Sequence, residues 1–155
     1  MRRKGNNPRF LLIDCNPQVL ACAQEFLKNE AGISFVRGDA RALPLREGGC
    51  DWALCVQLLH QFDPAEARAA LGELDRAARL GVLVADVRRS APLHFLLRLL
   101  MSAWGSALTR HDAPLSLRRA YTAREAQGLA RGAKLHHLRA RSCPPAHWQL
   151  LGRKA

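Results

Sequence analysis

The stretch RFLLIDCNPQVLACA, residues 9–23, decides how the rest of the chain is read. It holds an apolar run, residues 10–13, closed by Asp14; a short polar turn follows, then apolar residues at helical spacing. A strand that ends in an acidic residue and turns into a helix suits a layered α/β protein, in which ligands sit at the carboxyl ends of the strands. Asn16 is placed to cap the helix. Pro17 is placed to open it, because the ring presets φ and the missing N–H has no partner to serve there. Val19, Leu20, Ala23, Phe26 and Leu27 continue one apolar face, and Gly32 is the expected stop.

The same alternation continues along the chain. A second strand is expected over 33–36, ending near Asp39, and a third over 50–56 after the turn-rich REGG. Asp63 and Pro64 open another helix, expected to run to about Arg79, and GVLVADV gives a fourth strand over 81–87. Residues 92–108 read as a strongly apolar helix, bent near Gly105. Thr122 caps a short helix to Arg131 with Gly132 as its stop. The tail reads as a hairpin of 135–141, an SCPP turn and 147–152. Strands alternating with helices predict an α/β class with a mostly parallel sheet and an antiparallel C-terminal hairpin. A length of 155 residues predicts a single domain with a real core.

Composition narrows the function classes. Hydrophobic residues at 48% with 24% charged are those of a soluble globular chain. MRRKGNNPRF has a basic start without the apolar region of a signal peptide, and 92–108 is interrupted by His94 and Arg98. A cytoplasmic protein with no membrane span is expected. The five cysteines show no CxxC pairing and no metal-ligand spacing, so reduced thiols and no metal are expected. The net charge of +11 is uneven: residues 1–9 carry four basic side chains and no acidic ones, and residues 110–155 carry ten basic and two acidic. Such ends suit nucleic acid or an anionic membrane. With aromatics at only 6% and no recognition motif, a solvated basic face is the favoured reading.

Asp14, Asp39 and the pair Val56 and Gln57 fall at expected strand ends. A carboxylate there has the lone pairs to accept two hydrogen bonds from a ribose diol, and one a strand over suits the exocyclic amine of adenine. Loop and helix caps are the plainer alternative for both.

Four segments in order, IDCNPQVLACAQ, FVRGDARALPL, GGCDWALCVQLLHQF and ELDRAARLGVLVADVRRS, resemble the motifs of class I S-adenosylmethionine-dependent methyltransferases of the small-molecule type. The resemblance covers roughly residues 9–90 and implies a Rossmann-like sheet with S-adenosylmethionine as cofactor. It implies Asp14 at the ribose with Cys15 and Asn16 beside it, Asp39 and Ala40 at the adenine, and Val56 and Gln57 near the reacting methyl. His60 then points at substrate, where an imidazole could take a proton from a hydroxyl or amine; a packing histidine is the alternative. His111 and Tyr121, with Asp112, fall in RHDAPLSLRRAYT, which by chain order overhangs the substrate end. The acceptor expected is small and hydrophobic. His136, His137 and His147 are read as structural or exposed.

The family's first strand and glycine-rich turn have no counterpart in this sequence. The expectation is therefore an N-terminally truncated methyltransferase-like domain over 1–155, impaired on its own, with a partner chain as one source of the missing strand. The rival expectation is a non-catalytic α/β module that uses its basic ends to bind nucleic acid or a protein partner.

Overall fold

The structure is a computed structural model that describes residues 8–88, 120–144 and 146–154. The expected apolar helix over 92–108 lies outside the described residues. The chain divides into two compact units, Met1–Pro44 and Leu45–Ala155.

In the first unit, β1 (Phe10–Asp14) and β2 (Ile33–Arg37) form a parallel pair in register from Phe10 opposite Ile33 to Asp14 opposite Arg37. They are joined through α1 (Pro17–Phe26). Asn16 caps α1 as expected, its side chain accepting the Gln18 N–H at 2.9 Å. The helix stops well before Gly32. After Leu27 the sequence KNE is polar and does not extend the packed face, and the chain turns through a Glu30 N–H to Leu27 carbonyl bond of 3.0 Å. Gly32, at φ +83°, instead steers the chain into β2, while its carbonyl accepts the Phe10 N–H at 2.8 Å.

The second unit is built on a four-stranded sheet in the order β3-β4-β6-β5. β3 (Cys50–Val56) and β4 (Ala78–Val87) are parallel; β6 (His147–Arg153) runs antiparallel to both β4 and β5 (Arg139–Cys143). The expected α/β class, the parallel pairs and the antiparallel tail hairpin are all present. The hairpin's first strand begins later than expected because the chain leaving α3 (Ala123–Gly132) closes a tight turn, with the Leu138 N–H on the Leu135 carbonyl at 3.2 Å. β4 begins earlier than expected, at Ala78 opposite Cys50, and the ladder shifts register before Trp52 meets Gly81.

The core lies on one face of this sheet. Ala53, Cys55, Val82, Val84, Trp148 and Leu150 are buried there, and so are Ala67, Ala70, Leu71 and Leu74 of α2 (Pro64–Ala77) and Ala126, Leu129 and Ala130 of α3. Strand parity accounts for it: in β3 the alternate residues Trp52, Leu54 and Val56 are exposed.

Candidate functional site

The first unit places its acidic candidates at the carboxyl ends of its paired strands. Asp14 ends β1 and is half-buried; one carboxylate oxygen accepts the Asn16 N–H at 2.8 Å, which folds Asp14, Cys15 and Asn16 into a tight turn. Two bonds from the end of β2 hold that turn. The Arg37 Nε donates to the Cys15 carbonyl at 3.1 Å, and the Gly38 N–H donates to the Asp14 carbonyl at 3.1 Å. A methyl group on Gly38 would stand 2.7 Å from Pro44 Cδ and 2.9 Å from Ile13 Cγ2, so only glycine allows this approach. Asp39 follows, half-buried beside Ala40. Arg41 takes both its oxygens: its N–H and Nε bond Oδ1 at 2.8 and 3.0 Å, and its Nη2 bonds Oδ2 at 2.6 Å. These bonds to the charged form hold the Asp39 carboxyl down at about 2.

In the second unit, Val56 ends β3 with its side chain exposed, and Gln57 adopts a left-handed φ of +52° while its N–H stays on the Ala85 carbonyl at 2.9 Å. A non-glycine residue in that region stores strain of about 1 kcal/mol or more, a feature that gathers at functional turns. The chain then enters a single 3-10 turn, Leu59–Gln61, anchored by the fully buried Leu59 and carrying His60. The His60 Nδ1 lies 2.8 Å from Asp86 Oδ1, and the His60 backbone N–H donates to Asp86 Oδ2 at 3.0 Å.

Asp86 was not foreseen from the sequence. It is the one buried charged or polar side chain among the described residues, and it also accepts the Val87 N–H at 2.7 Å. Three donors converge on it, which is the environment of an ionised carboxylate. A carboxylate only accepts, so the His60 Nδ1 carries the hydrogen, and in the neutral imidazole Nε2 is then the nitrogen with the lone pair. Behind it, burial and then the Asp86 charge push the Cys55 thiol up to about 12. One signal for Asp86 exists in the sequence: it is the lone charge in GVLVADV, at the same strand parity as Val82 and Val84.

Tyr121 precedes α3, and its hydroxyl donates to the Phe62 carbonyl at 2.8 Å, just past the turn that carries His60. Burial, followed by the charges of Asp63 and Glu125, pushes that hydroxyl's pKa up. His111 and Asp112 lie outside the described residues. No group of three metal-ligating side chains occurs among the described residues.

The family described as "Methyltransferase domain" matches residues 1–81, just over half of the chain. The chain belongs to the methyltransferase domain family. The class I resemblance of its four motifs is thereby borne out. No curated protein matches the chain in sequence. Solved structures do match this methyltransferase domain in fold. One is a SAM dependent methyltransferase from Aquifex aeolicus, 12% identical, with a TM-score of 0.66 over 95% of this chain and 69% of that one. Another is an O-methyltransferase family 2 protein from Planctomyces limnophilus in complex with apigenin, 20% identical, TM-score 0.64, over 95% of this chain and 43% of that one. Human N-acetylserotonin methyltransferase in complex with SAM is a third, 19% identical, TM-score 0.63, over 95% and 41%. The methyltransferase domain described here thus spans less than half the length of the latter two.

Proposed function

We propose that this methyltransferase domain uses S-adenosylmethionine to methylate a small, hydrophobic acceptor bearing a hydroxyl or amine, with His60 taking the acceptor's proton. The single observation that carries the reading is the His60–Asp86 pair: a buried carboxylate fixes Nδ1–H and leaves Nε2 as a proton acceptor. Two relatives support the acceptor class by their descriptions, one in complex with apigenin and one an N-acetylserotonin methyltransferase. No helix among the described residues is long and apolar enough to cross a membrane, and a cytoplasmic location is part of the proposal.

The donor set of the first unit fits the cofactor. Asp14 spends one lone pair on the Asn16 N–H and keeps acceptor capacity for ribose hydroxyls, which can donate. Gly38 admits the close backbone approach that places Asp39 and Ala40 one strand over, where we assign the adenine. Cys15 and Asn16 complete the turn that holds Asp14; Val56 and Gln57 of the second unit are assigned to the methionine side on the resemblance of their motif alone. When bound, the cofactor supplies an electrophilic methyl group on a sulfonium. His60 Nε2 removes the acceptor's proton, Asp86 holds the ring and balances its charge, and Tyr121 steadies the turn through Phe62.

Calorimetric titration with S-adenosylhomocysteine tests the reading directly. Saturable binding is expected, weakened at least about tenfold by Asp14→Ala, which removes the ribose acceptor. His60→Ala is expected to leave that binding intact and to lower methyl transfer to phenolic acceptors by about 10²–10⁴-fold. Absence of binding to the unaltered chain overturns the proposal.

A further inference from the structure

A groove of about 510 Å³ lies in the second unit, lined by Ala123, Arg124, Gln127, Gly128 and Arg131 of α3 and by Ala140 of β5, the edge strand of the sheet. Ala123, Gly128 and Ala140 are small, and beyond the neighbouring backbone of its own helix nothing lies within 4 Å of where a Gly128 Cβ would stand. The side chains of Arg124 and Arg131 are exposed and make no ion pair or hydrogen bond among the described residues. Seven residues apart on one helix, they stand about 10 Å from each other along its axis. Glu125, the one acidic residue of α3, is taken up in the capping box with Thr122. Exposed Lys134, Arg139 and Arg141 add to the positive field of this end of the chain, where residues 110–155 carry ten basic and two acidic side chains.

The edge strand narrows what this groove can hold. The Gln127 carboxamide donates to the Leu138 carbonyl at 3.1 Å and accepts the Ala140 N–H at 2.8 Å, so the side chain already occupies the start of the edge that a docking peptide strand would need. No aromatic side chain lines the groove, so bases have nothing to stack on. What remains on offer is a pair of guanidinium forks, seven residues apart on α3, among the residues that line the groove, a match for phosphate oxygens. We propose that this groove binds the phosphate backbone of nucleic acid without base preference. The inference is independent of the methyl-transfer reading, since it uses none of the same residues.

The test is fluorescence anisotropy of the full chain with a labelled oligouridine across salt concentrations from about 50 to 200 mM. Binding should weaken steeply with salt. Arg124→Ala with Arg131→Ala should weaken it about tenfold or more and flatten the slope of log K against log salt by about 1.4, for two phosphates released at about 0.7 each. Gly128→Glu places a carboxylate between the two arginines in open space on a helix; it should keep its circular dichroism spectrum and lose binding. A charge-matched control, Arg46→Ala with Arg79→Ala, should bind within about twofold of the parent chain. The proposal is overturned by no binding at the lowest salt, by an equal loss in the control, or by Gly128→Glu binding normally. Polyglutamate competing as well as oligouridine would assign the groove to an acidic peptide and overturn it equally.

Discussion

At the scale of single residues, the second unit's chemistry turns on Asp86. Its side chain is 1% exposed yet serves three donors, the His60 N–H, the His60 Nδ1–H and the Val87 N–H. A buried carboxylate is tolerated only when its lone pairs are used, and here they fix a turn and a ring together. Asp86→Ala leaves those donors without an acceptor, and it is expected to cost about 3 kcal/mol or more by urea unfolding. The milder Asp86→Asn separates stability from positioning. An amide can either accept from or donate to Nδ1, so ¹⁵N NMR should show the His60 ring losing its single Nδ1–H tautomer while most of the stability remains. An unchanged tautomer in Asp86→Asn counts against Asp86 as the group that positions His60.

The elements show which signals in a sequence are local enough to read. Helix α2 starts where Asp63 accepts the Ala65 and Glu66 N–H groups at 2.7 and 2.9 Å, while the Glu66 side chain accepts the Asp63 N–H at 3.1 Å. Asp63→Ala removes the first half of this box and should cost about 1 kcal/mol, seen as a lower thermal midpoint with unchanged cofactor binding. Because that chemistry lies within four consecutive residues, the starts at Asp63, Pro64 and Thr122 could be read without coordinates. So could the β1–α1 turn of Asp14 and Asn16. The strand runs over 50–56 and 81–87 were equally plain, whereas the start of β4 at Ala78 was not, because no turn residue separates it from α2. Events set by packing were not legible: α1 ends at Phe26, which is 86% exposed, and the tail's first strand waits for the turn at Leu135. The His60–Asp86 pair joins positions 26 residues apart, and nothing local to either announces the other.

At the scale of the whole molecule, stability is unevenly shared between the two units. The fully buried large side chains Trp148, Leu59, Leu71, Leu138, Leu150, Val82 and Val84 all belong to the second unit, each worth about 1.5–3 kcal/mol of burial. Among the described residues of the first unit only Leu20 is buried, so its two-stranded ladder has little apolar area behind it. Local opening should therefore be cheaper there than in β4 and β6. Hydrogen exchange followed by mass spectrometry is expected to show β1, α1 and β2 exchanging well ahead of β4 and β6. The proposed cofactor contacts of Asp14 and Asp39 lie in that labile unit, so ligand binding has stability to add where stability is scarce. S-adenosylhomocysteine at about 100 times its dissociation constant adds about 2.7 kcal/mol to the bound form, which should slow exchange around Asp14 and Asp39 by up to about 100-fold. The groove between α3 and β5 should exchange at its ligand-free rate. Slowing confined to the second unit would place the cofactor away from Asp14 and Asp39, and the ribose and adenine assignments would fall with it.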